Sequence, residues 1–349
     1  MTAGTEGGLS HAAAEAVARR SYGKLVAYLA QRTRDVAAAE DALSDAFAAA
    51  LADWPASGIP RQPEAWLLAV ARRKAVDAAR RRHTSEAAVA EIRLMAEEIE
   101  SNRASAPEIP DERLALMFAC AHPALDAGIR APLILQTILG FDAATIASAF
   151  LVAPSTMGQR LVRAKQKIAL AGIPFRLPEH ADLPDRLGAV LEAIYATFTE
   201  GWSDPAGTEA RRRNLAEEGI WLGRLVASLM PEEPEALGLL ALMLYADARR
   251  AARRDAQGDY VPLAEQDSAQ WDADLIAEAE ALLRAAGARE TLGRYQLEAA
   301  IQSAHCDRAR SGVVDREALL RLYGALVAVL PTRGAREALA RVSERVPGE

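Results

Sequence analysis

Apolar residues in this chain recur at helical spacing. Leu25, Val26 and Leu29 form one such group, Leu43 and Phe47 a second, and Trp66, Leu67, Val70, Ala71 and Val76 a third. Alanine and leucine dominate and aromatics make up only 5%, so helix formers are abundant and strand formers scarce. The spacing and the composition together predict an all-α protein. At roughly 100–200 residues per domain, a chain of 349 residues is expected to hold two or three compact units.

Several function classes are excluded early. No run of about 18 apolar residues is present, so no membrane-spanning helix is expected. Residues 1–10 are small and polar, without the basic-then-apolar plan of a secretory signal. The two cysteines, Cys120 and Cys306, are far apart; a disulfide framework or zinc ribbon is not expected, and a reducing cytoplasmic setting is. The five histidines are scattered without metal-ligand spacing, and the usual phosphate-loop, dinucleotide and nucleophile-elbow motifs are missing. No enzymatic activity, metal or cofactor is therefore expected. The acidic run around Asp255, Asp259, Glu265 and Asp267 fails the spacing of a calcium loop and reads as a solvated turn.

Charge is split along the chain. Residues 1–173 carry 20 basic and 19 acidic side chains, whereas 174–349 carry 21 and 29. Within the first part, residues 61–82 hold Arg61, Arg72, Arg73, Lys74, Arg80, Arg81 and Arg82 against only Glu64 and Asp77, and 153–168 hold Arg160, Arg163, Lys165 and Lys167 with no acid. Two basic stripes on separate helices can each neutralise backbone phosphates while the rest of the molecule stays acidic.

Residues 12–52 read as helical. Within that span, Glu40, Asp41 and Asp45 make an acidic face beside the Leu43/Phe47 seam. Residues 54–63, with three prolines and a glycine, read as a loop, and a helix with an apolar side and an arginine side follows over about 64–82. Residues 84–110 read as an acidic linker. Asp111 can cap a helix carrying Leu114, Met117 and Phe118, and a further helix over 127–139 is closed by Gly140. Asp142 can cap a short helix to about Phe150, and Pro154 opens a longer one to about Leu170. A short helix, a tight turn and a longer polar-fronted helix are the layout of a helix-turn-helix, whose second helix enters the major groove. Gln159 and Arg160 are the side chains best suited to reading base edges there.

Residues 39–47, the proline-rich loop and residues 64–81 closely resemble region 2 of sigma factors of the extracytoplasmic-function (ECF) group, in the sigma-70 family. The stretch from Ile146-Ala147 through Thr156-Met157 to Arg160-Leu161-Val162-Arg163-Ala164-Lys165 resembles their region 4. Segments of the remainder, among them Asp247-Ala248-Arg249-Arg250 and Glu265-Gln266-Asp267, look like the long C-terminal extension of one subgroup, which is related to tetratricopeptide repeats. No clean 34-residue period is visible here, only helical segments punctuated by Pro231, Pro234, Pro262 and Pro331. The resemblance implies region 2 over 12–83, the linker over 84–110, a region 4 helix-turn-helix over 111–173 and a regulatory helical extension over 174–349.

The resemblance also implies partners: core RNA polymerase, through its β′ clamp helices and β flap, and promoter DNA. Glu40, Asp41, Leu43, Asp45 and Phe47 would dock on the polymerase. Trp54, Ser57, Arg61, Arg72, Arg73, Lys74, Asp77, Arg80 and Arg81 would serve the −10 element, with the loop trapping an unstacked base. Ser155, Thr156, Gln159, Arg160, Arg163, Lys165 and Lys167 would serve the −35 element. A contact of the extension with regions 2 and 4 within the molecule is a further expectation. Trp66, on the apolar side of its helix, reads as core. One departure from the family pattern is Leu151, at a turn position usually held by glycine, which makes another turn geometry the expectation. The rival reading is a stand-alone helix-turn-helix DNA-binding regulator with a helical sensor or interaction domain; it leaves residues 39–47 and 66–81 unexplained.

Overall fold

A computed structural model describes residues 3–82, 111–179, 182–202, 210–255, 257–289 and 291–344. The chain is all-α: among the described residues the one extended pairing is an isolated bridge between Arg254 and Tyr260. It divides into two compact units, residues 1–193 and 194–349. The stretch expected as a linker, 84–110, lies outside the described residues.

The first unit opens with α1 (Ala3–Thr33), α2 (Val36–Ser57) and α3 (Pro63–Arg82). The region expected to be helical over 12–52 is helical, divided between α1 and α2. Arg34 takes a left-handed backbone (φ 52°), and Asp35 then caps α2 by accepting the Ala38 N–H at 3.1 Å. Thr33 Oγ1 donates to the Leu29 carbonyl at 2.9 Å, closing the end of α1. The loop expected from residue 54 also begins later, because α2 continues through Pro55 to Ser57. Proline so near a helix end removes one bond, to the carbonyl of Leu51, and Leu51 lies on the exposed side where water can replace it. In return Trp54 is carried into the core, 1% exposed, with its ring edge-on to Trp66 at 5.6 Å. Leu25, Leu29, Leu43 and Leu67 complete the buried seam of this three-helix group.

Four shorter helices follow: α4 (Arg113–Cys120), α5 (Ala127–Leu139), α6 (Ala143–Ala149) and α7 (Pro154–Leu170). Their ends follow local chemistry. Asp111 accepts the Arg113 N–H at 3.2 Å, Asp126 the Gly128 N–H at 2.9 Å, and Asp142 the Thr145 N–H at 2.8 Å. Gly140 closes α5 in the left-handed conformation at φ 75°. Leu151 also adopts a left-handed conformation, φ 54°, so the turn keeps the geometry that glycine ordinarily supplies. The β-carbon crowding this costs, about 1–2 kcal/mol, is not aggravated by packing, since Leu151 is 79% exposed. Helix α4 is buried from Leu114 to Cys120 and seats against α1 and α5. Helices α1 and α5 approach closely at Gly23, where a β-carbon would collide with the Ile138 carbonyl oxygen.

The second unit is built around α10 (Pro234–Ala248), buried at almost every position and packed by α9 (Ala210–Leu229), α11 (Ala273–Gly287) and α12 (Arg294–Cys306). The boundary between the units falls inside α8 (Leu183–Trp202). Gly238 on α10 lets α12 approach, since a β-carbon there would meet the Gln296 nitrogen at 2.7 Å. Glu235 caps α12 from outside the helix, accepting the N–H groups of Tyr295 and Gln296 at 3.0 and 3.1 Å. A short α13 (Arg308–Ser311) leads to α14 (Arg316–Val329) and α15 (Arg333–Ser343), which share a core of Leu297, Ile301, Leu319, Leu326 and Ala335 with α12. The prolines fall where the punctuation predicts: Pro234 opens α10 and Pro331 separates α14 from α15. Asp255 turns its carboxylate onto the N–H groups of Gln257 and Asp259, at 2.9 and 2.8 Å, and so closes its own turn.

Candidate nucleic-acid interface

Helix α7 separates its side chains cleanly. Met157, Leu161, Ala164 and Ile168 are buried, whereas Ser155, Thr156, Gln159, Arg160, Arg163 and Lys167 are exposed. At about 100° per residue, these six polar residues share one continuous side of the helix. Lys167 donates to the carbonyl of Ala124, which brings the α7 side toward the start of α5. A shallow groove of about 320 Å³ runs there, lined by Leu125, Asp126, Ile129, Arg160, Arg163 and Lys167. Arg130 holds the groove's far wall in place by donating to the carbonyls of Leu125 and Pro123.

Lys165 does not join that face. It points the other way round the helix and pairs with Glu40 of α2 at 2.6 Å, with the Gln136 side-chain oxygen at 3.0 Å. Both charged side chains are close to 10% exposed. Burial raises the Glu40 carboxyl above the usual carboxylate range, and the Lys165 ammonium pulls against that shift. The same buried negative charge raises the Tyr22 hydroxyl, which burial raises most. One expected polymerase contact and one expected DNA contact therefore bind each other. Of the remaining α2 residues, Asp41 and Asp45 are exposed one turn apart, Phe47 is half-buried, and Leu43 is fully buried in the core.

The basic face of α3 is likewise sorted by its neighbours. Arg73, Lys74 and Asp77 are exposed, as are Arg61 and Ser57 before the helix. Arg72 turns inward and donates to the Tyr28 hydroxyl, and burial lowers its pKa. Arg32 lies over the same Tyr28 ring, 3.4 Å from its centroid, and stays exposed. Arg32 thus adds a cation beside the α3 stripe that spacing alone does not assign, because it comes from a different helix. Arg80 and Arg81 lie in the last turn of α3, and their side chains fall outside the described residues. Trp54 is packed against Trp66, so the loop that remains open between α2 and α3 is residues 58–62, beginning at Gly58 with φ 82°.

Comparison with known proteins places these helices. Residues 17–84, which span most of α1 with α2 and α3, match sigma-70 region 2. Residues 186–287 match a family of unknown function, DUF6596. An uncharacterized protein of Rhizobium meliloti (strain 1021) is 39% identical over 304 residues, covering 86% of this chain and 72% of the relative. No solved structure matches the chain. No helix among the described residues is long and apolar enough to cross a membrane. At that identity and coverage, the chain belongs to the family of the Rhizobium meliloti protein, and it carries a sigma-70 region 2 in its N-terminal helices.

Proposed function

We propose that this chain is a sigma factor of the ECF group, which binds core RNA polymerase and directs promoter recognition, DNA opening and transcription initiation. The observation that carries the reading is a pairing within one chain. Sigma-70 region 2 matches α1–α3, and a turn-linked helix pair, α6 and α7, turns Ser155, Thr156, Gln159, Arg160 and Arg163 to solvent. In this reading Asp41 and Asp45 meet the polymerase clamp, and Arg61, Arg73 and Lys74 hold phosphates near the −10 element. The loop at 58–62 receives an unstacked base, and α7 enters the major groove at the −35 element. Glu40 takes up a polymerase contact only after its pair with Lys165 opens, whereas Lys165, on the other side of α7 from the exposed polar face, serves that pair and not the DNA. The helical extension, tetratricopeptide-like by resemblance, modulates activity.

Runoff transcription with purified core polymerase on genomic fragments tests the proposal. The expected result is promoter-specific transcripts that depend on the added chain, together with co-elution of chain and polymerase on a sizing column. Specific DNA binding without co-elution would replace this reading with that of a stand-alone regulator.

A further inference from the structure

Residues 174–349 are rich in acids, 29 against 21 basic residues, and arginines there commonly find one. Arg224 pairs with Glu278, Arg250 with Asp247 and Arg294 with Glu298. Arg249 and Arg308 do not, among the described residues. Arg249, just past the end of α10, is only 8% exposed. Its Nε donates to the Tyr245 carbonyl at 3.1 Å and its Nη2 to the Gln302 side-chain oxygen, while Nη1 is buried with no partner among the described residues. Arg308, at the start of α13, donates to the backbone carbonyls of Ala264 and Gln266 and lies 5.2 Å from the Trp271 ring.

Two further buried polar atoms, on the residues that Arg308 touches, have no partner among the described residues: Nε1 of Trp271 and Oε1 of Gln266. Both residues are as buried as Arg249, at 6% and 7% exposure. His305 on α12 feels the same excess of positive charge; burial and then the two guanidiniums push its pKa down to about 4, leaving the ring neutral. Glu280, whose charge reaches Cys306 and Tyr245, is paired with Arg284. Burying a guanidinium without a counter-charge, and leaving N–H groups unmatched around it, is unfavourable unless something negative fills the place.

We propose that Arg249 and Arg308, with the Trp271 indole N–H and the Gln266 side-chain oxygen, form a binding site for a small anion bearing a carboxylate or phosphate group. The guanidinium N–H left open on Arg249 and the indole N–H are donors suited to an oxyanion, and the Gln266 oxygen accepts from a hydroxyl or amine on the same ligand. The depth of Arg249, Gln266 and Trp271 selects a small molecule over a protein segment, and half-buried Arg308 marks the side from which it arrives. The site lies wholly in the second unit and does not depend on the polymerase reading, since its test reads binding and not transcription.

The test follows thermal unfolding and calorimetric titration of the full chain with sodium phosphate, and separately with sodium acetate, against sodium chloride at matched ionic strength. At least one of the two anions is expected to bind saturably and raise the unfolding temperature. Arg249→Met and Arg308→Gln are each expected to weaken that binding about tenfold or more, whereas Arg333→Gln, on an exposed arginine paired with Glu337, leaves it unchanged. Response to phosphate alone or to acetate alone identifies which group the site takes. Neither anion differing from chloride, or equal responses in the wild type and both site variants, would overturn the proposal. If circular dichroism shows that Arg249→Met does not fold, Arg308→Gln on its half-buried side chain carries the same comparison.

Discussion

Glu40 and Lys165 show how one contact can change the meaning of two residues. Each belongs by position to a charged face, yet together they form a nearly buried pair between α2 and α7. Breaking such a pair leaves an uncompensated charge, at about 3–5 kcal/mol, whereas replacing both members with apolar residues of similar size is close to neutral. Glu40→Ala is accordingly expected to lower the free energy of urea unfolding by about 3 kcal/mol, and Glu40→Leu combined with Lys165→Met to recover most of it. A double variant as unstable as the single one would mean that the two side chains do not meet. His305 gives a second test through pH. Its native pKa is depressed to about 4 from an ordinary 6.5, so its neutral form contributes stability in full above pH 6.5, and that contribution is lost as pH falls toward 4. Over that window the wild type should lose up to about 3 kcal/mol more than His305→Gln, read from unfolding curves at successive pH values. Parallel curves would show that the ring is solvated.

Between elements, the decisive distances are those that only glycine allows. A β-carbon at Gly23 would run into the Ile138 backbone, and overpacking of this kind costs about 1–3 kcal/mol. Gly23→Ala should destabilise the chain by that amount through the α1–α5 contact. Gly158→Ala is the contrasting case: it lies in α7 with no atom nearer than the Ala143 β-carbon at 4.0 Å. There the gain in helix propensity, roughly 0.5–1 kcal/mol, should appear instead. Thermal unfolding of the two variants side by side checks both signs. The same logic explains α2, where the packing of Trp54 on Trp66 holds the helix through a proline that local rules assign to a loop.

For the molecule as a whole, a formal net charge of −7 conceals two cationic surfaces. If α3 and α7 neutralise phosphates, promoter affinity in the presence of core polymerase should fall linearly on a log–log salt plot, by about 0.9 per phosphate contacted. Arg73→Ala, Lys74→Ala and Arg163→Ala should each make that slope shallower by about one, across all sequences. Arg160→Ala should instead cost about 1–3 kcal/mol at one base position and relax preference there. Fluorescence anisotropy over a salt series separates the two patterns, and a slope indifferent to all four changes would remove α3 and α7 from the interface.

Much of this architecture was legible along the chain. The all-α class, the caps at Asp142 and Gly140, the opening of α7 at Pro154 and the two-sided character of that helix all depend on neighbours within one or two turns, where helical periodicity and capping chemistry act. The break at Arg34, the continuation of α2 through Pro55, the burial of Trp54 and Leu43, the inward turn of Arg72 onto Tyr28 and the capture of Lys165 by Glu40 were not. Nor was the guanidinium of Arg249, which is held by the Tyr245 carbonyl and by Gln302 of α12, 53 positions away, with one nitrogen left over. Most of these depend on residues 12 to 125 positions apart, and no local pattern encodes which side chains meet. Desolvation is set by three-dimensional neighbours, so the fate of a charge, whether presented to solvent, paired or left waiting for a ligand, was settled by packing.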